Sequence, residues 1–519
     1  MVDRANKVIR MPNTFAYVAL FCWPIVVFIL FRVTPRAPAL IASILGGYLF
    51  LPYDVGINLP MLPTFDKTLI PALSAAIMCF LFPDGRKRRS QSESSALAFT
   101  KQVANLPNRT DFAHIERNTP SGQLSRANRK LAATKPLLER KLEKALLLLL
   151  FTTPFLTFIQ NQEPYSVGPK VLPGLRLYDA FSLALSSLVA ILPYLLGRKF
   201  LANPDRHVLL LQGMCVAGLL YSLPTLFEAR MSPQLSRWIY GFLSQPFALT
   251  YKHGGFRPVV FLEHGLWLAI FLGMAILSAF SLWRHHRKAG RWLLAGFLLL
   301  GTLVLCRSFG ALAIVLLLLP IVLFISSRTQ IMLAAGVAFI ILFYPLLRGA
   351  DLIPVESITE FIASTVSQDR ADSLAFRLKN EDMLLAHAND KPLTGWGGWG
   401  RSFVFDPISG REISVTDGMW IIIVGISGWF GYIAQFGLLT APIFLLALSR
   451  SRYDVSFATS GLVLVLAANL IDMIPNATLT PISWLVAGAL MGGSAQQRRA
   501  FVTKVIEQRK EKRGIEHNF

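Results

Sequence analysis

Apolar residues in this chain run in unbroken blocks instead of recurring at helical or strand spacing. Residues 15–31, 145–159, 178–196, 259–282 and 331–347 are such blocks, and a helix needs about 20 apolar residues to cross hydrocarbon. Backbone groups in lipid must bond within their own helix or around a closed barrel. A barrel would alternate apolar and polar positions over about ten residues, and these blocks do not alternate. The pattern predicts an all-α fold, a polytopic transmembrane helical bundle of about twelve or thirteen spans. Two short stretches, 456–473 and 479–493, form the last pair.

Composition agrees. The chain is 53% hydrophobic and only 16% charged, against about 25% charge in a soluble protein. Its mean hydropathy is +0.50. Cys22, Cys79, Cys215 and Cys306 all fall in apolar blocks, with neither metal-ligand spacing nor a disulfide framework. No DxD, HExxH or Walker loop is present, so no metal and no cofactor is expected. The first block is long and no small-residue cleavage site follows it, so it is expected to remain as a span.

Net charge is +21. No basic soluble domain accompanies it, which argues against nucleic-acid binding. Retention signals on cytoplasmic loops account for it. Residues 197–199, 284–291 and the tail after Gln497 are strongly basic, and placing all three in the cytoplasm suits the spans between them. The plan is then N-terminal spans in 1–83, a basic cytoplasmic insert in 84–143, a transmembrane core in 144–347, an extracytoplasmic loop in 348–417, C-terminal spans in 418–493 and a basic cytoplasmic tail in 494–519. The insert holds thirteen basic and six acidic residues and reads as largely flexible, with a helical end near 135–144. The loop holds seven basic and eleven acidic residues. Thirteen spans would start the chain outside, whereas Arg4, Lys7 and Arg10 favour inside.

This frame singles out charges near the outer interface, where arginine is costly without a partner or ligand. Arg307 sits at the tip of an apolar hairpin, 292–326. It either snorkels to headgroups or binds an anion. Arg257 opens the apolar run 259–282, and Glu263 and His264 follow inside that run. A structural Glu–Arg or Glu–His pair is the plain alternative there. In the loop, 374–385 reads as an amphipathic helix carrying Arg377, with Glu381 spaced for a simple surface pair. The stretch 392–401 reads Pro-Leu-Thr-Gly-Trp-Gly-Gly-Trp-Gly-Arg. Its glycines would let backbone amides approach a ligand, and Trp396, Gly397, Trp399 and Arg401 are candidate sugar or loop contacts. Asp417 precedes the next span, as an N-cap or as a base toward a hydroxyl. Three arginines on one face suit an anionic, sugar-bearing lipid, since a guanidinium matches phosphate oxygens.

The order of these features resembles the O-antigen ligase and O-antigen polymerase superfamily of bacterial inner-membrane glycosyltransferases. The matching pieces are Gly255-Phe256-Arg257 opening a span, Arg307-Ser308-Phe309-Gly310 at a hairpin tip, and Arg377 followed by Pro392-Leu393-Thr394-Gly395-Trp396-Gly397. Asp417 then precedes a glycine-rich span, and two short terminal spans follow. The resemblance covers about 250–490. It implies a GT-C-like bundle, a glycan donor linked to undecaprenyl diphosphate, a glycan or lipid acceptor, and metal-independent transfer at the periplasmic face of an inner membrane. Arg257, Arg307 and Arg377 would bind the donor diphosphate. Membrane lipids and other polysaccharide assembly proteins would be its partners. Ligases commonly carry a histidine at the end of this loop, where this chain has Thr416-Asp417-Gly418, and its loop histidine, His387, lies upstream. That departure leaves the family's base without a counterpart here and favours an exopolysaccharide polymerase or other glycan transferase over a strict ligase of lipid A core. The residues themselves offer Asp417, and after it Glu263, to orient or deprotonate the acceptor hydroxyl. The rivals are a lipid or polysaccharide flippase, a non-catalytic assembly subunit, and a peptidoglycan-type polymerase.

Overall fold

The computed structural model describes residues 12–59, 62–82, 120–252, 254–286, 289–365, 367–449 and 455–493, with backbone only for 120–139 and 252. Most of the described chain is helical. In chain order the helices are α1 (Thr14–Val33), α2 (Arg36–Phe50), α3 (Leu69–Leu81), α4 (Pro120–Ile159), α5 (Leu177–Phe200), α6 (Pro204–Met231), the short α7 (Leu235–Tyr240), α8 (Gly265–His285), α9 (Gly290–Leu305), α10 (Phe309–Phe324), α11 (Ser327–Gly349), α12 (Val355–Thr365), α13 (Gln368–Asn389), α14 (Met419–Ser449), α15 (Phe457–Asp472) and α16 (Pro481–Gly493). Two small hairpins, Tyr165–Val167 with Lys170–Leu172 and Tyr251–Lys252 with Gly255–Phe256, are the described strands.

The chain is an all-α polytopic membrane protein. Among the described residues, seven helices are long and apolar enough to cross a membrane, and six shorter apolar ones stand with them, thirteen together. A 16-residue helix reaches only about 24 Å, so the shorter ones need the bundle around them. Helix α8 lies at the centre, packed against α6, α9, α10 and α15. Its best apolar window is 89% buried, whereas that of α1 is 22% buried, which sets α1 at the lipid edge. Backbones touch where glycines allow it. A Cβ on Gly488 would lie 2.0 Å from the Tyr194 carbonyl oxygen, and one on Gly197 would lie 2.3 Å from that of Leu485. Helices α5 and α16 therefore pack through small residues. All four cysteines are free, and all but Cys22 are buried.

Hydrogen bonds sort the connections into two faces. On one, Asn13 donates from its backbone amide to Tyr240 O (2.9 Å), Lys67 Nζ to Phe261 O (3.1 Å), Asn161 Nδ2 to Gly395 O (3.0 Å) and Arg377 to Pro475 O (3.0 Å). On the other, Arg36 Nε donates to Phe82 O (2.9 Å) and Arg284 to Ile325 O (3.2 Å). The chain enters α1 on the first face and leaves α16 on the second, as an odd number of crossings requires. This fixes the relation of the start of α1 to the loops, which the sequence left unsettled.

Three expectations change. Helix α4 begins at Pro120 and passes unbroken through the expected boundary at 143. Residues 84–119 of the basic insert, and the tail 494–519, lie outside the described residues. The long loop holds α12 and α13 in place of one helix at 374–385. Glu263 and His264 are not inside a span. The buried Glu228 carboxylate accepts the Val259 and Val260 amides at 2.9 and 2.8 Å, holding 258–264 as a loop, and His264 caps α8 through Leu266 N.

The fold's least regular feature carries the loop. Helix α14 is broken at Gly428, with φ 60° and ψ −164°, a conformation close to glycine-only. The carbonyls of Gly425 and Ile426 accept the amides of Trp396 and Gly397, both at 2.9 Å. The amides of Trp429 and Phe430 reach Pro392 O and Leu393 O at 2.8 and 3.1 Å. Irregular backbone within a bundle is tolerated when protein supplies its partners, and here residues 392–397 supply them.

Candidate functional site

Four arginines meet on the face that carries the loop. Arg257 leaves the Gly255–Phe256 strand and lays its aliphatic stem over the first residue of α8: a Cβ on Gly265 would come 2.5 Å from Arg257 Cγ. Arg307 sits at the α9–α10 tip in the left-handed region, φ 53°. Its guanidinium lies over Gly255, where a Cβ would fall 2.5 Å from Cζ. Arg257 donates to the Arg307 carbonyl at 3.2 Å, so the tip and the strand hold each other.

Helix α13 brings the other two. Arg377 donates to Pro475 O at 3.0 Å and Asn476 Oδ1 at 3.1 Å, and its Nε stands 3.7 Å from Asp417 Oδ2. Arg370 stacks over the Phe309 ring at 4.3 Å, two residues from Arg307. Burial, then the positive charges of Arg377 and Arg370, pull the Arg257 guanidinium below its ordinary range. Arg257 Nε is buried without a hydrogen-bond partner. Crowded, partly desolvated cations of this kind are stabilised by an anion among them.

Asp417 is half-buried beside this group. Burial pushes its carboxyl above the ordinary aspartate range, and Arg377 pulls it partly back. The expected Arg377–Glu381 surface pair does not form. Glu381 turns into the bundle, accepting from Trp420 Nε1 (3.2 Å) and Tyr344 Oη (3.3 Å), and burial raises it to about 7. Glu263 lies within electrostatic reach of Lys67.

The Trp-Gly stretch is built into the scaffold, which corrects its reading as a ligand-facing loop. The amides of Trp396 and Gly397 are spent on α14, as above. Trp396 is buried, stacks on His387 with ring centroids 4.3 Å apart, and donates its Nε1 to His387 O at 2.7 Å. Arg401 is buried and donates to Trp396 O (3.2 Å), Pro173 O (2.8 Å) and Asn161 Oδ1 (3.3 Å). A Cβ on Gly397 would meet Leu175 at 2.6 Å. Trp399 alone of the four turns outward, 55% exposed.

Sequence reasoning missed Arg370. Its signal was present: Arg370 and Arg377 are seven residues apart, two turns of one helix and hence one face. Placing the helix start at 374 hid it. No group of three or more His, Cys, Asp or Glu side chains among the described residues is arranged to hold a metal ion. No protein-family model matches the chain, and no curated protein does.

Proposed function

We propose that this protein is a membrane glycosyltransferase that takes glycan from a donor linked to a lipid diphosphate, as an O-antigen polymerase or ligase does. The supporting observation is the convergence of Arg257, Arg307, Arg370 and Arg377 beside Asp417 at one end of a membrane bundle. Lipid-diphosphate chemistry needs what this set offers. The acceptor hydroxyl oxygen attacks the anomeric carbon as Asp417 takes its proton. The bond from that carbon to the diphosphate oxygen breaks, and the lipid diphosphate leaves with the bonding electron pair. Guanidinium groups offset the charge growing on it, which is work a metal does elsewhere.

The same reading assigns the site face to the outside of an inner membrane. Arg32, Arg36, Arg198, Lys199, Arg284 and Arg291 stand at helix ends on the opposite face, and cytoplasmic span ends carry such an excess. The test is complementation in cells lacking the chain. Arg307→Ala and Arg377→Ala, each expressed at the wild-type level, should abolish polymer or ligated glycan. Undiminished product from both would refute the proposal.

A further inference from the structure

The groove beside Trp399 belongs to no part of this mechanism. It measures about 550 Å³ and is walled by the α4–α5 connection, residues 172–176, by Tyr178 and Asp179 at the start of α5, and by Trp399. Two aromatic side chains open into it, Trp399 at 55% and Tyr178 at 44% exposure. Trp399 is held at φ 57°, a left-handed conformation that a bulky residue keeps only when its surroundings impose it. Asp179 accepts the Arg176 amide at 2.7 Å, and both it and the exposed Arg176 line the groove. Flat rings with hydrogen-bonding groups at their edge fit hydroxyl-rich saccharide rings.

Its distance from the arginines defines its role. Ten residues of α13 separate Arg377 from His387, about 15 Å at helical rise, and Trp396, stacked on His387, accepts from the Arg401 that lines the groove. We propose that this groove is a glycan-binding subsite that holds the saccharide several sugar units from the reacting bond. It rests on the reading that this face handles a glycan. It predicts that the enzyme senses the length of its glycan beyond the unit being transferred.

The test uses the full chain in lipid nanodiscs and two probes. One is polysaccharide purified from the source cells and cut to fragments of graded length; the other is inorganic pyrophosphate. Wild type should bind long fragments more tightly than single repeat units. Trp399→Ala and Asp179→Asn should each weaken long-fragment binding about tenfold or more, Trp399→Phe should retain most of it, and none should alter pyrophosphate binding. If wild type fails to bind fragments, or Trp399→Ala binds them as tightly, the subsite is refuted. Equal binding by Trp399→Ala is also what a tryptophan that merely anchors in headgroups would give. Fragment binding without pyrophosphate binding would sink the diphosphate reading and leave the groove standing.

Discussion

Gly428→Ala tests the junction on which the site is built. The added methyl meets backbone: it would lie 2.4 Å from the Leu393 carbonyl carbon and 2.5 Å from its oxygen, so no rotamer change relieves it. At φ 60° and ψ −164° a side chain adds roughly 1–3 kcal/mol of strain. The loop must move, and four backbone bonds join 392–397 to 425–430. Losing half of them costs about 2 kcal/mol at a net value near 1 kcal/mol each. The expected loss is about 3–5 kcal/mol, a large share of the roughly 5–15 kcal/mol that holds a fold. Hydrogen exchange in detergent should show the Trp396 and Gly397 amides deprotected, and thermal unfolding should come earlier. Gly301→Ala is the control. That glycine lies within α9 with nothing within 4 Å of the added methyl, so alanine should be neutral or stabilise by up to about 1 kcal/mol. If Gly428→Ala melted with wild type and kept both amides protected, the junction of 392–397 with α14 would not be a structural joint.

Other expectations concern the charges. Asp417→Asn should lower kcat by about 10²–10⁴-fold, the range for a lost general base. Because burial raises Asp417, wild-type activity should fall on acidification at a higher pH than an ordinary aspartate would impose, and pH–rate profiles of kcat/KM would reveal it. Arg370→Ala should raise KM for the donor about 10–100-fold, as loss of one charge-assisted contact implies, with Arg370→Lys recovering part. Equal KM values would place Arg370 outside the site. Glu381 affects stability. Burial raises its pKa from 4.5 to about 7, so the folded state binds the proton more tightly than the unfolded one. Its contribution is full below pH 4.5 and is lost as pH rises through about 7, at most about 3 kcal/mol. Glu381→Gln keeps the shape and carries no charge, so it should flatten that decline and melt above wild type at pH 8.

The spans were legible because lipid leaves the backbone few choices. The hairpin tip at Arg307 followed from the same rule, since 292–326 is long enough for two short crossings and no more. What was not legible depended on distant partners. Hydropathy runs a span back to Val259, but the Glu228 carboxylate takes the amides of Val259 and Val260, and helix begins only at Gly265. The glycines of 392–401 suggest ligand contact because nothing local shows that α14 breaks at Gly428 and presents two carbonyls. Gly425, Gly428 and Gly431 lie within one span, and only tertiary contact selects which of them breaks it.

Arg370 and Arg377 owe their positions to a helix fixed at three points. Near its end, His387 stacks on Trp396, and Trp396 is tied to the broken turn of α14. At its middle, Glu381 is bonded by Trp420 and Tyr344, while Arg348 pairs with Asp382 at 2.6 Å. Ahead of these, Arg377 reaches the α15–α16 connection through Pro475 and Asn476. A site works when its charged groups are held by packing they do not themselves provide. The Trp-Gly stretch therefore acts on chemistry through α13, and its defects should scatter the arginines rather than remove a contact. Trp396→Ala should then depress kcat and raise KM together, while Arg370→Ala should act mainly on KM. A Trp396→Ala enzyme with unchanged kcat would show that the helix keeps its place without this support.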